Sequence, residues 1–223
     1  ATDTITITGN TAVDTITGTT LKDVIVGNGG GDVIEGGDGN DYLDGSTGGD
    51  IDTLQGDAGN DTIVLADTSA DKIVEAAAGG TDTLLVTTAT LDVSAVEFGV
   101  TTTTAANAAL AEIEQIVVTA GGTTTFDDDH LDGQAIKING TAAGTSTLAV
   151  VADAGVNVIN LSSLTFTAGT YTGVAGTTLT GTAFDATDTI TITGNTAVDT
   201  ITAAPTVDNT ITEIGRASCR ERV

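Results

Sequence analysis

Aspartates recur every nine residues at Asp14, Asp23, Asp32, Asp41 and Asp50, and the interval resumes at Asp52 and Asp61 after an insertion of two residues. The stretches between them are rich in glycine: GGDGNDYLD, residues 36–44, sets three glycines and three aspartates around a single leucine. A row of carboxylates without basic partners repels itself. Two bare carboxylates about 4 Å apart cost about 4 kcal/mol at an effective dielectric near 20, and several such pairs rival the whole stability of a domain. A cation between them reverses the sign. The donors on offer are carboxylates and backbone carbonyls, hard oxygen ligands at flexible spacing with no imidazole or thiolate among them. That set suits Ca²⁺ better than Mg²⁺, which holds a stricter octahedron and keeps its waters, and suits zinc or copper poorly.

The elements that must position these aspartates follow from the rest of the repeat. Two residues after each, with Asp52 superseding Asp50, stands an aliphatic, Ile16, Ile25, Ile34, Leu43, Leu54 and Ile63, and Asp3 with Ile5 reads as one earlier instance. A glycine opens each unit, at Gly9, Gly18, Gly27, Gly36, Gly45 and Gly56. The unit is thus G-x-x-x-x-D-x-(I/L)-x, a glycine-rich turn followed by a short strand whose middle side chain points inward. One aliphatic per unit is enough when strands stack and their aliphatics form a seam. Two units then make one coil of a flattened right-handed solenoid, each coil leaning on the next. Stacked this way, Asp14 lies over Asp32, Asp23 over Asp41, and Asp41 over Asp61. The expected fold class is all-β: a parallel β-roll followed by a further β-rich solenoid or sandwich region.

The best copies, GNGGGDVIE, GGDGNDYLD and GDAGNDTIV, resemble the repeats-in-toxin (RTX, haemolysin-type) calcium-binding family, whose unit is GGxGxDxUx. The resemblance covers residues 9–65. It implies a parallel β-roll, calcium held between consecutive turns, and export from a bacterium to a calcium-rich exterior. Gly36, Gly37, Gly39 and Asp41 match the motif fully, while Gly27, Gly30 and Asp32, and Gly56, Gly59 and Asp61, match it nearly. GNTAVD (9–14) and GTTLKD (18–23) lack the inner glycine, which weakens the calcium expectation there, though Asp23 keeps its place under Asp41. In GSTGGDID the insertion leaves open whether Asp50 or Asp52 holds the ligand position.

Composition bounds the rest. The chain has 223 residues, 3% aromatics, one proline and a formal charge of −25, which excludes nucleic acid and anionic membrane surfaces as natural partners. Thr, Asp and Gly interrupt every apolar run, so no membrane span is expected. The chain starts at Ala1 without a methionine or a signal-peptide pattern and reads as an internal fragment. All three arginines and the one cysteine fall in EIGRASCRERV, residues 213–223, which resembles a translated sequencing adapter and is read as a non-native tail. Residues 1–212 then carry three lysines against 29 acidic residues, a net of −26. The expected organisation is a roll over 1–65, a flanking or capping segment with a short helix over 66–135, and a β-rich repeat region over 136–212. In the capping segment Asp71, Glu75 and Asp82 offer one more ion site, but are read first as solvated turn residues. Helical periodicity is confined to Ala108, Leu110 and Ile113, before a strand at Ile116–Val118. IKING, STLAVVA, VNVINLS and TDTITITG read as later strands. The string ATDTITITGNTAVDTIT occurs at 1–17 and again unchanged at 186–202, as in a long tandem protein or an assembly chimera.

Catalytic motifs are missing: there is no H-E-x-x-H, G-x-S-x-G or G-x-x-x-x-G-K-[ST]. His130, the one histidine, sits in FDDDHLD and is read as part of a charged loop rather than a metal site. Two functions remain. The first is a calcium-binding structural or adhesive module of a large secreted bacterial surface protein, of surface-layer or adhesin type. Its partners would be calcium ions, neighbouring repeats, and cell-surface glycans or copies of itself. The second is the calcium-dependent folding and secretion segment of a secreted hydrolase, protease or toxin with its catalytic domain elsewhere. Ice binding, raised by the T-x-T strings of the first coil, is weakened by Val24, Glu35 and Tyr42 at the corresponding outward positions of later coils.

Overall fold

The computed structural model describes residues 4–75, 79–100, 103–106, 112–118, 121–140, 145–152, 158–166, 168–172, 178–183, 189–193, 200–202, 208–212 and 218–219. The nonapeptide region alternates between two parallel sheets. One begins with β1 (Thr4–Thr8), β3 (Lys22–Val26), β5 (Tyr42–Asp44), β7 (Thr62–Leu65) and β9 (Thr83–Val86). The other holds β2 (Thr15–Thr17), β4 (Val33–Asp38), β6 (Thr53–Ala58) and β8 (Lys72–Glu75). Consecutive units therefore fall on opposite sheets, as a flattened coil of two units requires.

The aliphatic seam lies between these sheets. Parallel register stacks Ile7, Ile25, Leu43, Ile63 and Leu84 on one side. Ile16, Ile34, Leu54 and Ile73 stack on the other. From the second coil onward each of these is essentially fully buried. The register corrects one expectation: Ile7, not Ile5, continues the seam, and Ile5 pairs with Asp23. Asp3 stands eleven residues before Asp14 instead of nine, so it falls out of phase with the repeat.

Beyond β9 the coil gains a third side. After β10 (Thr90–Asp92) and β11 (Glu97–Val100) comes β12 (Thr103–Ala106), which turns back antiparallel on β11. β13 (Gln115–Val118), β14 (Thr123–Asp127), β15 (Lys137–Gly140) and β16 (Thr147–Val151) add further parallel rungs to the first and third sheets. β17 (Val158–Asn160) is followed by a hairpin of β18 (Gly169–Thr172) and β19 (Thr178–Ala183). β20 (Thr189–Thr193), β21 (Thr200–Thr202), β22 (Asp208–Thr212) and β23 (Ser218–Cys219) complete the described strands. Apart from the β18–β19 hairpin, whose β19 also pairs antiparallel with β15, the later β-rich region continues in parallel rungs. The expected helix over Ala108 and Leu110 lies outside the described residues.

Two local expectations change. FDDDHLD forms a short helix, α1 (Asp128–Leu131), instead of a charged loop: Asp127 caps it by accepting the Asp129 N–H at 3.3 Å. His130 is buried edge-on to Phe98 and Phe126, at ring distances of 5.0 and 6.2 Å. Secondly, Val24 and Tyr42 point outward yet are buried, in a second apolar row with Val64, Leu85 and Val117. β18 lies on that face, where the Thr172 N–H donates to Thr62 Oγ1 at 3.1 Å and Gln115 Nε2 donates to the Thr170 carbonyl at 3.5 Å. A strand returning from about 110 residues downstream is invisible to a nine-residue pattern.

Candidate metal centre

The turns joining the two sheets stack into two edges, and on each edge the aspartates form a ladder. Along one edge the Asp14 N–H donates to Asp32 Oδ1 at 2.8 Å, Asp32 N–H to Asp52 Oδ1 at 2.7 Å, and Asp52 N–H to Asp71 Oδ1 at 3.0 Å. Along the other, Asp23 N–H donates to Asp41 Oδ1 at 2.8 Å, Asp41 N–H to Asp61 Oδ1 at 2.7 Å, and Asp61 N–H to Asp82 Oδ1 at 2.9 Å. The stacking read from the repeat is present in all three expected pairs. It also extends two residues further than the repeat itself, to Asp71 and Asp82.

Asp23, Asp32, Asp41, Asp52 and Asp61 are all buried. In Asp32, Asp41, Asp52 and Asp61 one carboxylate oxygen accepts from the preceding coil, while Asp23 Oδ2 accepts the Thr19 N–H of its own turn at 2.6 Å. Asp32 Oδ2, Asp41 Oδ2, Asp61 Oδ2 and Asp23 Oδ1 are buried without any hydrogen-bond partner. Such orphans are rare because leaving a buried charged oxygen unpaired costs several kcal/mol. Each points to a missing ligand.

The opening glycine of each unit supplies the space. A Cβ on Gly36 would lie 2.6 Å from Asp41 Oδ2 and 2.8 Å from the Gly56 carbonyl oxygen, so the place a side chain would take is closed in by carboxylate and carbonyl oxygens, which only glycine lets converge there. Gly27 holds the corresponding place beside Asp32 Oδ2 and the Gly45 carbonyl, and Gly56 beside Asp61 Oδ2. The inner glycines have a different task. Gly39 and Gly59 adopt φ of +142° and +148°, backbone that L side chains rarely take, and Gly59 packs directly on the Gly39 carbonyl. Gly30 holds the equivalent position of its own turn, and Gly37, two residues before Gly39, also has positive φ.

At the insertion Asp52 stands in the ladder, whereas Asp50 is exposed on the bulged loop and accepts the Gly30 N–H at 3.2 Å. The two extra residues loop outward, held by Asp67, whose Oδ2 accepts from Gly48 and Gly49 N–H at 2.9 and 3.0 Å. The GNTAVD turn differs as its sequence indicated. Asp14 accepts the Asn10 N–H at 2.7 Å and the Asn10 side-chain amide at 2.9 Å, so its carboxylate is satisfied without a cation.

Burial dominates the electrostatics. It pushes the Asp41 and Asp52 carboxyls up to about 7 and Asp61 up to about 8, against the N–H each accepts and with the neighbouring carboxylates adding to the rise. Glu75 and Asp82, read from sequence as solvated turn residues, are buried instead, and burial raises them to about 10 and about 6. Asp71 is buried too, and raised. All of these groups are held where their ionised forms are disfavoured, and the Lys72 ammonium is engaged by Glu97 at 3.3 Å. A hard divalent cation fits this donor set of carboxylate and carbonyl oxygens.

Comparison with known families agrees with the geometry. The RTX calcium-binding nonapeptide repeat matches residues 17–51 and 46–67, in four copies. This segment is an RTX repeat array. The match leaves out GNTAVD, the turn whose aspartate is satisfied internally, and includes every other ladder aspartate up to Asp61. RTX repeats bind Ca²⁺, and the orphaned oxygens of Asp32, Asp41 and Asp61 are where this array would hold it. No curated protein and no solved structure matches the chain.

Proposed function

We propose that this chain is a calcium-dependent structural module of a large secreted bacterial surface protein, of surface-layer or adhesin type, which folds when it meets calcium outside the cell. RTX repeats supply structure rather than catalysis, and calcium is their partner; the surface role, with a glycan or a second copy as target, is the part of the reading that goes further. The observation that carries the proposal is the set of buried, unpartnered carboxylate oxygens at Asp32, Asp41 and Asp61, each beside a glycine void. Calcium in those voids would be held by Asp23, Asp32, Asp41, Asp52 and Asp61 with the carbonyls of the glycine turns.

Metal-free, the charges on each ladder oppose stacking, and the chain of net −25 stays expanded. Calcium binds only the stacked coils, so its binding free energy becomes folding free energy. A scarcity of calcium inside the producing cell keeps the chain export-competent. The test is far-UV circular dichroism of the chain in chelator and through a calcium titration. A cooperative gain of β-signal is expected; a full β-spectrum in chelator at neutral pH, unchanged by calcium, would defeat the proposal.

A further inference from the structure

The two edges of the roll end differently. On one edge the opening-glycine column runs Gly9, Gly27, Gly45 and then passes to Leu65, one residue beyond the Asp44–Val64 pair. On the other it runs Gly18, Gly36, Gly56 and then passes to Glu75, one residue beyond the Gln55–Val74 pair. In the interior turns of this edge the carbonyl of the next glycine lines the void: Gly36 O beside Gly18 and Gly56 O beside Gly36. At the last turn a carboxylate takes the place of that carbonyl.

The geometry points to a separate calcium site at this position, built by Asp61, Glu75 and Asp82, with a ligand set unlike that of the nonapeptide turns. The three side chains are buried, and each offers an oxygen within 4.8 Å of the others. A Cβ on Gly56 would lie 2.7 Å from both Glu75 oxygens and 2.6 Å from Asp61 Oδ2, so three carboxylate oxygens converge on one void. Glu75 faces that void with both oxygens, the bidentate presentation calcium accepts and magnesium does not favour. Every carboxylate is anchored by a backbone donor that leaves its remaining lone pairs free. Glu75 Oε1 accepts the Gly56 N–H at 3.2 Å, Asp61 Oδ1 the Asp41 N–H at 2.7 Å, and Asp82 Oδ1 the Asp61 N–H at 2.9 Å. Asp61 Oδ2 and Glu75 Oε2 have no partner, although both residues are 1% exposed.

Glu75 and Asp82 lie beyond residue 67, where the matched repeats stop, so this site closes the array rather than repeating it. Calcium affinity rises with the number of charged ligands and with site rigidity. Three ionised carboxylates on rigid rungs make this the tightest site of the chain. It also joins three successive segments: the turn before β7, the end of β8 and the turn before β9.

The inference rests on the calcium reading of the roll, and calorimetric titration of the whole chain with Ca²⁺ separates the two. Glu75→Gln keeps the side chain's size and its acceptor for Gly56 N–H but removes the charge. It should abolish the tightest binding phase, or weaken it at least about tenfold, while the phases of the nonapeptide turns persist. A Glu75→Gln isotherm that overlays the wild type would overturn this site and leave the calcium reading standing. A wild-type chain that binds no calcium would overturn both. Europium(III) luminescence on the unmutated chain guards against a variant that does not fold. The first bound equivalent should decay at nearly the same rate in H₂O and D₂O, as expected for an ion dehydrated by three buried carboxylates. A strongly hydrated first equivalent would also overturn the site.

Discussion

The backbone N–H of Asp32 donates to Oδ1 of Asp52 at 2.7 Å, across an insertion that offered Asp50 as the alternative. The bond spans 20 residues where the preceding step of the same ladder, Asp14 to Asp32, spans 18. The ladder therefore absorbs the insertion by bulging the loop over Thr47–Ile51 into solvent, and the spacing of the carboxylates along the edge is preserved. It is this spacing, rather than the nine-residue count, that the fold conserves, and the following expectations test it.

Acid should substitute for calcium. The folded carboxyls of Asp41, Asp52 and Asp61 titrate at about 7, 7 and 8, above the ordinary aspartate value of 3.8. A raised folded pKa means the native state binds more protons than the unfolded chain between those values. Metal-free stability is then fully present below about pH 4 and is lost as pH rises through 7 to 8. In chelator, circular dichroism should show β-structure growing as pH is lowered from 8 towards 5. A metal-free chain that loses structure on acidification over that range would contradict the burial of these groups.

Asp41→Asn should have opposite effects with and without metal. The amide oxygen can still accept the Asp23 N–H, while one charge leaves a ladder of carboxylates. In chelator the variant should be more stable than the wild type, because repulsion and the desolvation of a charge are relieved. In saturating calcium it should be less stable by about 1–3 kcal/mol, the scale of a lost charge-assisted contact. Denaturant titrations under both conditions measure this. A loss of similar size in both would make Asp41 a structural residue only.

Gly36→Ala isolates the void from the backbone. Gly36 does not have positive φ, so alanine adds no conformational strain, but its Cβ would sit 2.6 Å from Asp41 Oδ2 and 2.8 Å from the Gly56 carbonyl. Calcium binding at this turn should be lost or weakened by about tenfold or more. Gly49→Ala serves as the comparison: φ is +75° there and the Cβ would meet nothing within 4 Å. It should cost about 1 kcal/mol of backbone strain and leave the calcium isotherm in place. Equal isotherms for both variants would remove the void as a binding feature.

What the sequence discloses and what it hides divide along physical lines. A repeat in which each residue type has one job is legible: the inward aliphatics and the stacked aspartates of residues 14–63 follow from alternation along a strand and from a constant period. The choice between Asp50 and Asp52 needed the turn geometry, because both satisfy the count within the insertion. Ile5 misled for the converse reason, since Ile5 and Ile7 share a strand face and only the register distinguishes them. Glu75 was offered with Asp71 and Asp82 as one more ion site, but its burial was not legible and the solvated-turn reading came first. Its partner void belongs to Gly56, nineteen residues earlier, and nothing in DKIVEAAAGG repeats the glycine motif that would have located it. Val24 and Tyr42 lie buried on the face that β18 reaches at Thr62, a contact of long sequence separation with no periodic signature.

From Asp32 on one edge and Asp41 on the other, each described ladder carboxylate up to Asp71 and Asp82 accepts from the coil before it. A cut through the array would accordingly leave unlike faces, amide hydrogens on one and carboxylate oxygens on the other. Rungs of this kind join only head to tail, so growth by added coils has a built-in polarity that leads to an open rod and not to a closed symmetric pair.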